Sequence, residues 1–272
     1  MSKHARIRMP RSRRGRLVST AAAGAVLVVA AGWAYAAHDG EPPQLSAQLG
    51  ADARNRSAAA PPHAGTDPRT GRGAHRPRAL PDISEATRAA IPASARQVVL
   101  VTGVAADSSY ATASLYTRAV AGSEDWEPGP SWPARNGAKG WSADRTYGGL
   151  QSPVGVFSLT DAGGLLPAPP GTRLPYDHGP AFTATGRGVE GEPLTGSFDY
   201  VVAINYNRVP GTSPLNPDKP DGEAKGGNIW LHVDHDGPSQ GCVGLPASAM
   251  KTLLETLDPA RHPVVVMGPA GH

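Results

Sequence analysis

Past residue 93 the apolar residues fall in short runs broken by glycine and proline, and one stretch alone, 246–257, keeps helical spacing. These interruptions constrain the fold more than any other feature. The chain carries 33 glycines and 28 prolines. Inside a helix, glycine costs backbone entropy, while proline removes a donor and clashes with the preceding turn. The pattern argues against a helical bundle and predicts a mainly β domain of short strands and many turns.

The runs can be placed. QVVLVTG at 97–103 reads as a buried strand, and ATASLYTR at 111–118 alternates like its hairpin partner. SPVGVFSLT at 152–160, FDYVVAINYN at 198–207, NIWLHV at 228–233 and VVVM at 264–267 supply further strands. Met250, Leu253, Leu254 and Leu257 form a helical stripe within 246–257, closed by Asp258-Pro259. Asp82-Ile83-Ser84-Glu85 reads as a capping box opening a short helix that stops at Pro92. The folded domain is expected over residues 93–268, as a β-sandwich or barrel with a helix after the cysteine at 242. No internal repeat is visible.

Ahead of that domain the chain changes character. Residues 1–16 hold seven Lys and Arg and no acid, and residues 17–37 hold no charge at all. Twenty-one helical residues span about the 30 Å of a bilayer hydrocarbon core. The segment is expected to be a transmembrane anchor or, with Ala34-Tyr35-Ala36 as a small-residue cleavage site, a signal peptide. The cationic flank should stay in the cytoplasm, which puts the rest of the chain outside. Residues 38–92, rich in Ala, Pro and Arg, read as a disordered spacer that includes the short helix. Forty such residues could extend to about 130 Å, enough to let a domain search a thick layer beyond the membrane.

The formal net charge of +3 is misleading. From residue 91 onward, twelve Lys and Arg face seventeen Asp and Glu, a net charge of −5. A nucleic-acid binder needs its cations on the folded module, so no nucleic-acid partner is expected.

Export sharpens the meaning of the single cysteine, Cys242. Structural cysteines in oxidising compartments are paired, so an odd one implies an intermolecular bridge or a reactive thiol. Cys242 sits in the turn-rich LHVDHDGPSQGCVGLP at 231–246. A thiolate is the nucleophile, and a histidine within reach can take its proton and return it. His232 ends an apolar run, and a loop folding back would bring Cys242 to it. Gly241 permits a tight approach, and backbone N–H groups around Gly241 and Cys242 are candidates to receive an oxyanion. His235 is a competing base that also reads as a solvated turn residue. His178 reads as a loop residue and His262 as a helix-end residue. His232, Asp234, His235 and Cys242 are possible zinc ligands, but their spacing matches no standard structural-zinc pattern, and no metal is expected.

These residues carry a resemblance. LHVDHDGPSQGCVGLP is similar to the active-site signature of the L,D-transpeptidases, the YkuD-type catalytic domain, in which a strand histidine precedes Ser/Thr-His-Gly-Cys, an apolar residue, often Arg, and Leu or Met. Ser239, Gly241, Cys242, Val243 and Leu245 match. Ser152-Pro-Val-Gly-Val-Phe157 resembles the family's Thr-Pro-x-Gly-x-Phe strand. Gln240 replaces the motif histidine, Gly244 replaces the frequent arginine, and the interval from His232 to Cys242 is shorter than usual. The resemblance implies Cys242 as nucleophile and His232 as base, with Ser239, Gln240 and Gly241 shaping the loop and oxyanion hole. It implies peptidoglycan stem peptides as partners, no cofactor, and transfer from a tetrapeptide stem through a thioester. Hydrolysis of that thioester would make a carboxypeptidase, and a fold that had lost catalysis would be a wall-binding module.

Overall fold

The computed structural model describes residues 78–272. The segments at 1–16 and 17–37 and most of the spacer lie outside the described residues, and no described helix is long and apolar enough to cross a membrane.

In chain order the elements are α1 (Glu85–Ala90), β1 (Gln97–Gly103), β2 (Tyr110–Thr117), β3 (Glu127–Arg135), β4 (Trp141–Ser142), β5 (Ser152–Pro153), β6 (Gly155–Gly164), β7 (Tyr176–His178), β8 (Val201–Ile204), β9 (Trp230–Val233), β10 (Val243–Leu245), α2 (Ala247–Thr256) and β11 (Val264–Pro269). The main sheet runs β11-β1-β2-β3-β10-β9-β8-β6-β7, and β11 also pairs with β6. Eight strands therefore close on themselves, with β7 attached outside the ring. Closure pairs most of the edge groups that an open sheet of this size would present, and the β3–β10 seam is its thinnest point. The expectation of a mainly β, barrel-like fold with a helix after Cys242 is met.

Side-chain alternation sorts residues between the inside and outside of this ring. Val99, Val101, Val265 and Met267 face a main core that also takes Leu231, Val243 and Leu245, together with Met250, Leu253 and Leu254 of α2 and Leu257 at its C-cap. Their neighbours Val98, Leu100, Val264 and Val266 point the other way, into a second cluster with Leu80, Ile83, Ala95 and Trp126. Both faces of β1 and β11 are thus covered, which is why their sequences are unbroken apolar runs. The packing also reaches back beyond residue 93, since Leu80 is buried in the second cluster.

Local details differ from the sequence reading. The cap of α1 is Ser84, whose hydroxyl accepts from the Thr87 N–H at 3.0 Å, rather than Asp82, which adopts a left-handed φ of 52°. β8 is shorter than the run at 198–207, because residues up to Tyr200 belong to the turn before it. The sequence does not signal β3. Its EPGPSWPAR holds three prolines, yet it pairs with β2 along its length and with β10 only at Gly244–Arg135. Most of it is an edge, where a missing N–H costs nothing in the ladder.

A third apolar cluster lies on the outer face of β8 and β9. Phe182, Val201, Ala203 and Trp230 form it, and Leu165, Phe198, Leu215 and Cys242 pack against it.

Candidate active site

Strands β9 and β10 are parallel neighbours, with Leu231 opposite Val243 and His232 opposite Gly244. Leu231 and Val243 point into the main core, so Trp230, His232 and Cys242 share the opposite face. Cys242 is two positions from the partner of His232. Strand spacing and rise put their Cα atoms about 8 Å apart on that face. Both side chains line one cleft of about 360 Å³, together with Arg145, Phe198, Asn228 and Gly241.

The loop between the two strands is held on several sides. The Ser239 N–H donates to Asn136 O at 3.0 Å, and the Ala138 N–H donates to Ser239 O at 2.9 Å. Ser239 Oγ donates to Cys242 O at 2.7 Å and accepts the Gly241 N–H at 3.0 Å. From the SPVGVF strand, Ser152 Oγ donates to Gly241 O at 2.8 Å and accepts the Gly137 N–H at 2.9 Å. Gly241 needs to be glycine: its φ is +143°, and an added Cβ would lie 2.9 Å from Arg145 Nε and Gln151 O. In this arrangement the Gly241 N–H is already satisfied, whereas the Cys242 N–H makes no hydrogen bond among the described residues. The Gln240 side chain is exposed at the mouth of the cleft.

His232 is nearly fully buried, at 2% exposure. Its Nδ1 lies 2.8 Å from Val233 O. A carbonyl can only accept, so Nδ1 carries the proton and Nε2 keeps its lone pair. Burial pushes the imidazole down to about 4, against a smaller upward pull from the Val233 carbonyl and a further lowering by His235. At neutral pH the ring is an uncharged base. The thiol of Cys242 is pushed up by burial, offset in part by the Trp230 N–H and the Arg145 charge. Its sulfur accepts from Trp230 N–H at 3.4 Å and donates to Asn228 O at 3.6 Å. Thiol and imidazole rest as a neutral pair, and no hydrogen bond joins them among the described residues.

His235 is not the solvated turn residue that DHDGP suggests. Its side chain is 5% exposed, its ring stacks on His232 with centroids 5.5 Å apart, and its Nδ1 lies 3.0 Å from Glu192 Oε1. Neither atom makes a well-directed hydrogen bond. Asp234 turns instead toward Arg135, with Oδ2 3.5 Å from Nε. Among the described residues no three His, Cys, Asp or Glu side chains gather as a metal site would require. His178 is exposed on β7, and His262 ends a short 3₁₀ turn in a left-handed conformation; neither lines the cleft. Nothing local in the sequence marks Arg145 as belonging at the cleft or Glu192 as belonging beside His235.

A cysteine and a neutral, oriented imidazole on one face of a closed barrel, at an open cleft, form an arrangement suited to acyl transfer through a thioester. The family model of the L,D-transpeptidase catalytic domain (YkuD) matches residues 108–266, and the chain belongs to that family, whose members act on the peptide stems of peptidoglycan. No curated protein and no solved structure matches the chain.

Proposed function

We propose that the protein is a peptidoglycan L,D-transpeptidase with Cys242 as nucleophile and His232 as base. The observation that carries this reading is the placement of Cys242 and His232 on one face of β9 and β10, with His232 Nδ1 committed to Val233 O and Nε2 left to accept a proton. In the first step the thiol turns from Asn228 O to His232 Nε2 and gives up its proton. The sulfur attacks the carbonyl that joins an L-centre to the terminal D-Ala of a tetrapeptide stem. The oxyanion is received by the Cys242 N–H. The C–N bond breaks, His232 returns the proton to the departing D-Ala amine, and a thioester remains. In the second step the amine of another stem attacks that thioester, loses its proton to His232, and forms an amide as the thiol is regenerated.

Nothing in this sequence of steps calls for a metal or an organic cofactor. We propose also that the domain works outside the membrane, anchored or released by the segment at 17–37. Seven cations ahead of 21 uncharged residues support export. Incubation of the purified protein with defined tetrapeptide stems, followed by mass analysis, tests the reaction. Cross-linked dimer is expected. Tripeptide as the only product means that water takes the acceptor's place, and stems left unchanged overturn the reading in favour of a wall-binding module.

A further inference from the structure

The reaction as written leaves one charged group of the cleft unused. Arg145 follows β4 and is 6% exposed. Its guanidinium donates to three carbonyls, Gln151 O at 2.7 Å, Lys225 O at 2.8 Å and Gln240 O at 3.3 Å. Those carbonyls come from three separate segments, the second a 3₁₀ turn at Glu223–Lys225 and the last the cysteine loop. No carboxylate pairs with Arg145 among the described residues. A buried cation is costly unless an anion balances it, and carbonyl dipoles provide only part of that balance.

This charge stands at the cysteine loop. Arg145 Nε and Nη2 lie 2.9 and 3.0 Å from where a Cβ on Gly241 would stand, so the guanidinium packs on the residue just before Cys242. It is the only Lys or Arg lining the cleft among the described residues. The other ionisable groups facing the thiol are His232 and His235 from β9 and the loop after it, with Glu192 behind His235 and Tyr147 at the cleft mouth. Asp234 is engaged by Arg135. Gln240 and Gly244, which flank the cysteine, carry no charge.

We propose that Arg145 is a positioning residue that supplies the fixed positive charge against which the Cys242 thiolate forms, and that it fixes the cysteine loop through the Gln240 carbonyl. The proton still leaves Sγ for His232 Nε2, and Arg145 offsets the negative charge left on sulfur. A charge brought in by a separate loop thereby stands in for charge missing from the cysteine motif itself. This inference rests on Cys242 being the nucleophile, but it concerns ionisation of the thiol and not the identity of the acyl donor.

The test follows the rate of iodoacetamide alkylation of the full chain from about pH 6 to about pH 10, with thermal melting recorded alongside. Arg145→Gln should move the midpoint upward by about one pH unit and slow alkylation near neutrality about tenfold. Arg145→Lys, which keeps the charge but not the fork, should stay within about threefold of the parent rate. If both variants melt early and alkylate along the parent curve, Arg145 is a clamp only and the inference is overturned. Should Arg145→Gln fail to fold, the parent protein decides: the anionic reagent iodoacetate should alkylate at least as fast as iodoacetamide, because a cation faces the sulfur. A marked disadvantage for iodoacetate, as like-charge repulsion at a free thiolate produces, contradicts the proposal. Alkylation needs no peptidoglycan. An Arg145-dependent thiol in a protein that leaves every stem intact would sink the transpeptidase reading and spare this one.

Discussion

Cys242 and His232 stand on the same face of adjacent parallel strands, two positions apart in the register that pairs Gly244 with His232. The barrel fixes that relationship. Leu231, Val243 and Leu245 are fully buried in the main core, so slipping either strand by one residue would turn a core side chain into the cleft and the site residue into the barrel. Cleft geometry and barrel stability are therefore set by the same residues.

Removing the nucleophile should separate chemistry from folding. Cys242→Ala deletes one sulfur atom at the margin of the outer cluster, which costs about 1 kcal/mol, and it should abolish product formation. His232→Gln should lower the rate by about a hundred- to ten-thousand-fold while leaving the thiol present. Turnover by mass analysis, with melting curves for each variant, checks both outcomes.

His232 should make the fold sensitive to mild acid. Its folded value is about 4 against an ordinary 6.5. Above 6.5 the ring is neutral in both states and adds no pH dependence. Between about pH 6.5 and pH 4 the unfolded chain takes up a proton that the folded chain refuses, so stability falls with falling pH, by up to about 3 kcal/mol from this residue. Denaturant unfolding across that range should show the decline, and His232→Gln should flatten it.

Ser152 should matter well beyond its own strand. Its hydroxyl bridges Gly241 O and Gly137 N–H, both buried. Ser152→Ala leaves the two groups unpaired, at a cost of about 1–3 kcal/mol for each group that water cannot reach. The loop carrying Cys242 is loosened at the same time. We expect a lower melting temperature together with a lower kcat, whereas Ser152→Thr, which keeps the hydroxyl, should recover part of both.

The ion pair between Asp161 and Arg208 should be a stability element only. Nη1 and Oδ2 are 2.8 Å apart, each side chain is 4% exposed, and neither lines the cleft. Asp161 Oδ2 also accepts the Gly211 N–H at 2.9 Å, tying down the loop after β8. Asp161→Ala strands a buried guanidinium and should cost about 3–5 kcal/mol. Replacing both partners with apolar residues should cost much less than the sum of the two single changes. Equilibrium unfolding of the set forms the double-mutant cycle.

What was legible in the sequence follows from how local each signal is. β1 and β11 announced themselves because both of their faces are covered, and α2 because one stripe of it is. Cys242, His232 and Ser239 were legible because the strand, loop and cysteine are contiguous. β3 was hidden by its prolines, which a partly unpaired strand tolerates, and β10 by having only three residues. DHDGP alone suggests a solvated turn for His235, because the acid beside it, Glu192, arrives from a distant loop. Arg145 gave no signal at all: its three acceptors are backbone carbonyls, and a carbonyl has no sequence identity.

The most direct test is the intact mass of the protein after brief exposure to a tetrapeptide stem ending in D-Ala, without an acceptor amine. Our account predicts a mass increase equal to the stem less its D-Ala, located on Cys242, lost on treatment with hydroxylamine and not seen in Cys242→Ala. An unchanged mass with no D-Ala released, or an adduct that persists in Cys242→Ala, would contradict it.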